Sequence, residues 1–119
     1  HVGGLRYHGM SPMLSHLVHN GHMEPRAYGQ KECLEAGIQF ARTEGIMPAP
    51  EATHAIKGAV DEALKCKAEG KSKAILFNLC GHGHFDMQAY MDYFSGNLAE
   101  DKFDTEAFEE SMASIPAVN

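Results

Sequence analysis

The sequence predicts an α/β fold, in which a partial parallel sheet is flanked by helices in a three-layer αβα arrangement. Residues 52–67 carry an apolar stripe at helical spacing, with charged side chains on the other side. Residues 73–79 form a nearly continuous apolar run of strand length, which is typical of a strand covered on both faces. A short strand at residues 46–47 precedes the helix, so the order strand, helix, strand favours parallel strands joined by a crossover helix.

Signals at helix boundaries predict the remaining elements. A proline in the first turn and a glycine after the last turn are typical of helix starts and ends. The helices predicted in this way are a short one from Ser11-Pro12 to Asn20-Gly21, one over residues 30–44 before Gly45, one over residues 87–94 between an Asp86 cap and Gly96, and a weak one near residues 104–112.

Parallel strands joined by one crossover helix finish at the same edge of their sheet. Glu51 follows the first strand and Cys80 the second, so we expect both at one rim, where open α/β sheets bind ligands. The turn at residues 80–84 (CGHGH) is the best local candidate for a site, because Gly81 and Gly83 allow backbone to approach a ligand closely. A plain tight turn explains the same pattern.

Metal binding is an alternative that the histidines raise. The residues concerned are His82, His84 and Asp86 after the second strand, and His16, His19 and His22 near the first helix. Zinc usually needs three or more protein ligands in a tetrahedral arrangement, whereas alternate residues of an extended segment point to opposite sides. A glycine also interrupts the helix before His22. We therefore expect one histidine of the turn to point inward and the other to be solvated, the histidines near the first helix to lie on the surface, and no metal site.

The charge distribution separates a main segment from an acidic tail. The net charge of −6 argues against a nucleic-acid-binding protein. Residues 1–96 hold nine basic and ten acidic side chains, whereas residues 97–119 hold one basic and six acidic. The lack of a membrane-length apolar run or a signal-peptide pattern predicts a cytoplasmic protein. Three cysteines without a short repeated spacing suggest neither a disulfide framework nor a zinc motif.

Three motifs occur in order, at residues 3–9 (GGLRYHG), 44–56 (EGIMPAPEATHAI) and 77–83 (FNLCGHG). Together they resemble the carboxy-terminal part of tryptophan synthase β chains of the second, β-like type, over about residues 3–95. The resemblance implies a fragment of the large domain of a fold type II pyridoxal-phosphate enzyme, which joins L-serine and indole into L-tryptophan. The sequence starts at His1 without a Met, and we expect it to be a piece of a longer chain.

The resemblance also implies roles for individual residues. Gly4 would lie in the backbone wall beside the cofactor ring, and Glu51 matches the glutamate that helps to position the ring and tune its charge. Cys80 falls where the family usually has a serine whose hydroxyl hydrogen-bonds the pyridine nitrogen, and Gly81 follows it against the ring. Arg6 stands where the standard β chain has an aspartate that contacts the serine-derived part of the substrate.

Further components are implied outside these positions. Backbone carbonyls around Tyr7 and Gly9 resemble a monovalent-cation site. The lysine that carries the cofactor, the phosphate-binding loop and the indole pocket lie upstream in the family, and no lysine here matches that motif. We therefore expect that this chain contains no catalytic residue and is inactive by itself. The partners that the resemblance implies are the upstream part of the enzyme, a second copy of the enzyme and an α subunit. The alternative is a small stand-alone α/β binding or interaction module with its ligand at residues 80–84.

Overall fold

The computed structural model of the chain describes residues 10–98 and 105–115. Its helices are, in chain order, α1 (Pro12–His19), α2 (Gln30–Glu44), α3 (Pro50–Ala68), α4 (Met87–Phe94) and α5 (Thr105–Ala113). The helices predicted at residues 30–44, 52–67 and 87–94 are confirmed to within two residues at each end. The short helix after Ser11-Pro12 is also present, as α1.

Helix α2 shows how local sequence sets the two ends of an element. At its start, the N–H of Gly29 donates to the carboxylate of Glu32 at 2.6 Å, which satisfies a group that the helix itself leaves unpaired. At its end, Gly45 adopts φ = 72°, a left-handed conformation that favours glycine. Its N–H donates to the carbonyl of Ala41 at 3.0 Å, so the last turn is closed.

Two of the predicted caps are wrong in their chemistry. Ser11 and Asp86 do precede α1 and α4, but neither side chain makes a capping hydrogen bond. Backbone carbonyls take part instead: that of Ser11 accepts from the N–H of Ser15 (3.0 Å), and that of Asp86 accepts from the N–H of Ala89 (3.0 Å). Asp86 also lies outside the extended conformation that a side-chain cap needs, with φ = −115° and ψ = 21°.

The parallel sheet stays a prediction. Residues 71–80, which contain the predicted second strand, have no regular secondary structure, and no strand occurs among residues 10–98 and 105–115. The pairing that these residues do show is one isolated antiparallel bridge between Pro48 and His82. A strand forms only when a partner strand pairs with it, and the partner of a parallel strand lies far away in the chain. The apolar pattern of residues 73–79 by itself therefore does not produce a sheet.

The core forms where α2 meets α3 and α4. Its main cluster joins buried side chains from α2, α4 and the segment after α4, and the members are Leu34, Ile38, Tyr90 and Leu98. Met47 and Tyr93 are partly buried against this cluster. The segment before α3, which includes Met47, is thereby attached to the same core that holds α4.

Helix α2 approaches α3 closely because Gly37 has no side chain. A Cβ atom added at Gly37 would lie 2.5 Å from Cγ2 of Thr53 and 3.2 Å from Oη of Tyr90. Thr53 is fully buried, and its hydroxyl donates to the carbonyl of Pro50 at 2.6 Å, so its side chain has little freedom to move away. Gly37 therefore sets the separation of the two helices.

Several large apolar side chains remain exposed in the described part of the chain. Leu76 is 97% exposed and Phe85 is 92% exposed. Helix α1 buries none of its side chains. Among the described residues, every helix is too short or too polar to cross a membrane.

The charged side chain of Lys57 in α3 links this helix to α2 and to Tyr28, which lies just before α2. Nζ of Lys57 lies 2.6 Å from Oδ1 of Asp61 and 3.8 Å from Oε2 of Glu32. The same ammonium lies 5.2 Å from the centre of the Tyr28 ring, within cation–π range. The hydrogen bond from Lys57 holds the pKa of Asp61 below its ordinary value.

The packing at Gly37 predicts a stability difference between two glycine substitutions. Gly37→Ala should lower the free energy of unfolding by about 1–3 kcal/mol, because a tightly packed core resists added atoms. Gly58→Ala in α3 is the matched control: its Cβ would meet Oη and Cε2 of Tyr28 at 3.7 and 3.8 Å, which are ordinary contacts. Urea unfolding measures both variants, and equal stabilities would contradict the proposed close packing.

The ion pair at Asp61 predicts a dependence of stability on pH. Because its pKa is lowered in the folded chain, the stabilisation is present above the ordinary aspartate pKa and is lost as pH falls through the folded value. The chain should therefore lose more stability between about pH 5 and pH 3 than Asp61→Asn does. Asp92→Asn is the control, since Asp92 accepts a hydrogen bond from the neutral Gln88 amide (2.8 Å). Urea unfolding at each pH tests this, and identical slopes for the chain and Asp61→Asn would rule it out.

Candidate functional site

Two backbone hydrogen bonds hold the turn at residues 80–84 against the segment before α3. The N–H of Gly83 donates to the carbonyl of Met47 at 2.8 Å, and the N–H of Ala49 donates to the carbonyl of Gly81 at 2.9 Å. They flank the antiparallel bridge between Pro48 and His82. The turn and the start of α3 are thus one local unit.

This contact requires a glycine at position 83 and leaves little room at position 81. A Cβ atom added at Gly83 would lie 2.5 Å from the carbonyl oxygen of Pro48, a backbone atom that cannot swing aside. One added at Gly81 would lie 3.2 Å from Cβ of Ala49. The close approach that the sequence predicted for a ligand at Gly83 is therefore made, in the structure, by the chain itself.

The predicted residues Glu51 and Cys80 both lie in the chain just beyond the Ala49–Gly81 end of this bridge. Glu51 is in the first turn of α3 and is half-buried. Cys80 is an exposed free thiol next to Gly81. Their neighbours Ala49 and Gly81 are joined by the 2.9 Å hydrogen bond, so the chain brings the two regions together although they are 29 residues apart.

Tyr90 is a residue of this region that the sequence analysis missed. Its side chain is 1% exposed, and its hydroxyl donates to the carbonyl of Pro48 at 2.6 Å. Burial, with the Asp86 carboxylate nearby, raises the pKa of Tyr90 to about 12, so the hydroxyl keeps its proton at neutral pH. The helical pattern places Tyr90 on the apolar face of α4, but no local signal identifies a partner 42 residues away.

Other predicted site residues lie outside the described residues. Gly4 and Arg6, with the backbone near Tyr7 and Gly9, belong to residues 1–9. The described lysines include several that pair with acids on the surface, such as Lys73 with Glu62 at 3.0 Å.

The histidines of the turn, His82 and His84, are both exposed, so the expectation that one of them points inward is wrong; they interact with each other instead. The N–H of His84 donates to Nδ1 of His82 at 3.3 Å, and the two rings are 4.7 Å apart. The His82 ring also lies 5.4 Å from that of Phe85. Throughout residues 10–98 and 105–115, no group of three or more His, Cys, Asp or Glu side chains is placed to hold a metal ion.

Comparison with known proteins gives one consistent result. No protein-family model matches the chain. It is 63% identical over 98 residues to tryptophan synthase beta chain 2 of Methanosarcina mazei, a match that covers 82% of this chain and 22% of that protein. The chain is similar to one segment of tryptophan synthase beta chains.

Two further relatives extend this similarity to tryptophan synthase beta chains. Tryptophan synthase beta chain 2 of Aquifex aeolicus is 57% identical over 100 residues, which is 84% of this chain and 23% of that protein. The tryptophan synthase beta chain of Pyrococcus horikoshii is 47% identical over 116 residues, which is 98% of this chain and 25% of that protein. The chain thus spans about a quarter of the length of the curated relatives it matches.

Proposed function

We propose that this chain supplies the pyridine-ring side of the cofactor site in a tryptophan synthase β-type enzyme of fold type II. The complete enzyme would use pyridoxal phosphate to convert L-serine and indole into L-tryptophan and water. In this proposal Gly4, Glu51, Cys80 and Gly81 contact the cofactor, and Arg6 contacts the substrate.

The observation that carries the proposal is the 63% identity over 98 residues to a protein named tryptophan synthase beta chain 2. A 98-residue span in a chain of 119 residues necessarily includes residues 22–98. Both Glu51 and Cys80 therefore lie within the similar segment. The sequence motifs at residues 44–56 and 77–83 fall in the same span.

The chemistry of the residues present fits the pyridine side of this cofactor. When bound, pyridoxal phosphate withdraws electrons from the substrate and so promotes elimination and replacement at its β carbon. The exposed Cys80 thiol is a weak hydrogen-bond donor that carries no charge when protonated. Such a partner leaves the pyridine nitrogen largely unprotonated, and moderated electron withdrawal suits β-replacement.

The neighbours of Cys80 suit a flat ring. Gly81 has no side chain, so no Cβ projects from the backbone next to Cys80. Glu51 lies in the first turn of α3, where the positive end of the helix dipole favours a carboxylate. In the proposal, Glu51 orients the ring and Cys80 holds its nitrogen.

The remaining parts of the site would come from the rest of the enzyme. Leu76 and Phe85 are almost fully exposed large apolar side chains, which a neighbouring part of the enzyme would cover favourably. We propose that the upstream part of the β chain covers them and carries the cofactor-binding lysine and the phosphate loop. On this proposal the 119 residues alone are inactive, and the whole enzyme is a homodimer that takes indole from an α subunit and binds a monovalent cation.

A graft tests the proposed function directly. The matching 98-residue segment of the Methanosarcina mazei beta chain 2 is replaced by this chain's segment, and the chimera is purified with pyridoxal phosphate. We expect cofactor absorbance and synthesis of tryptophan from L-serine and indole, because the similar segment should rebuild the site. The control graft carries the corresponding segment of the Aquifex aeolicus protein, which is 57% identical to this chain over 100 residues, and it shows whether the host accepts a segment from another protein.

A chimera that folds like its host but binds no cofactor, while the control graft does, would count against the proposal. That outcome would favour the alternative of a small binding or interaction module with its ligand at residues 80–84.

The role of Cys80 gives a second prediction in the chimera. Cys80→Ser should keep or strengthen cofactor binding, because a hydroxyl is the better hydrogen-bond donor. Cys80→Ala removes the donor and should weaken binding by about fivefold, the usual net value of one hydrogen bond. Titration with pyridoxal phosphate, followed by absorbance, measures both. A clear loss of cofactor absorbance in Cys80→Ser would remove Cys80 from the site.

A further inference from the structure

The carbonyl of Pro48 is the point at which the core and the candidate site meet. It accepts the hydroxyl of Tyr90 at 2.6 Å, and both side chains are almost completely buried. On the side of the turn, Gly83 lies so close that an added Cβ would reach the same oxygen at 2.5 Å. The position of this one carbonyl therefore limits where the turn can lie.

The backbone on either side of Pro48 carries the contacts to the turn. Met47 accepts from Gly83 at 2.8 Å, and Ala49 donates to Gly81 at 2.9 Å. Pro48 has no N–H, but at this position of an antiparallel bridge an N–H would point away from the partner, so these two bonds complete the bridge. A rotation of the peptide that follows Pro48 would move Ala49 and, with it, the bond to Gly81.

We propose that Tyr90 is a positioning residue for the cofactor site: its hydroxyl orients the Pro48 carbonyl and so sets Cys80 and Gly81 relative to Glu51. The inference rests on the proposed function. Tyr90 touches neither cofactor nor substrate in this account. It acts through Pro48, Ala49 and Gly81.

The ring and the hydroxyl of Tyr90 make different contacts, so the positioning role of the hydroxyl can be tested apart from the packing of the ring. The ring of Tyr90 belongs to the cluster with Leu34, Ile38 and Leu98, and that contact survives when the oxygen is removed. The oxygen itself bonds outside the cluster, to the segment that holds the turn. Tyr90→Phe therefore keeps the apolar packing and removes the hydrogen bond to the Pro48 carbonyl.

The test is Tyr90→Phe in the grafted beta chain described above, with its cofactor bound. We expect the Kd for pyridoxal phosphate to rise about fivefold to tenfold, because the turn is no longer held in the geometry that binds the ring, together with a shift in the absorbance maximum of the bound cofactor. 4-Aminophenylalanine at position 90 restores a donor and should return both values toward those of the unsubstituted graft.

Two controls keep the readout specific. Tyr93→Phe removes a hydroxyl three residues away on the same helix, and Ile38→Val removes a methyl group from the same cluster. Both should leave the absorbance maximum unchanged, even where Ile38→Val lowers stability as much as Tyr90→Phe does. Circular dichroism and thermal unfolding show that each variant is folded.

The outcomes separate this inference from the proposed function. If the unsubstituted graft binds cofactor and Tyr90→Phe gives the Kd and absorbance maximum of Tyr93→Phe, the positioning role is overturned and the proposed function stands. If the unsubstituted graft binds no cofactor, both are overturned. If Tyr90→Phe loses stability below measurement, failure of 4-aminophenylalanine to restore the absorbance maximum overturns the positioning role.

Discussion

The hydrogen bond from Tyr90 to the carbonyl of Pro48 is the contact on which the described structure most depends. A tyrosine that is 1% exposed needs a partner for its hydroxyl, because a buried polar group without one costs about 1–3 kcal/mol. The partner lies on a segment that has no helix or strand of its own, so the bond satisfies the tyrosine and fixes the segment at once. Gly37 makes this possible, since any side chain there would reach both Thr53 and the tyrosine oxygen.

The helices follow from signals within a few residues of their ends, and the sequence predicts them well for that reason. Gly45 ends α2 because its backbone is left-handed, and Pro12 starts α1 because a first-turn proline loses no helical hydrogen bond. The side-chain caps were wrong because a capping bond depends on the backbone conformation of one residue, which composition does not reveal. Asp86 has the right side chain in a conformation that cannot use it.

The candidate site was predictable only in part. The expectation that residues near Glu51 and Cys80 meet came from strand order, and the structure joins their neighbours by a short antiparallel bridge instead of a visible parallel pair. Pro48 fits this bridge because the N–H that it lacks would point away from His82, and the hydrogen bonds are made by Met47 and Ala49. The bond from Tyr90 was not predictable, because it links residues 42 positions apart and a tyrosine on an apolar helix face looks like any other core residue.

In the proposed site the residues assigned to the cofactor differ from those that fix the turn, and this bears on the cysteine at position 80. Cys80 is exposed, so replacing one small side chain by another there disturbs little packing. Gly83 lies against a backbone oxygen and Tyr90 bonds to that oxygen, so neither can change without moving the turn. In the proposed site a thiol at position 80 is tolerated, because the position of the donor is set by its neighbours. Exchange of the thiol for a hydroxyl would then change the strength of one hydrogen bond and leave the shape of the site intact.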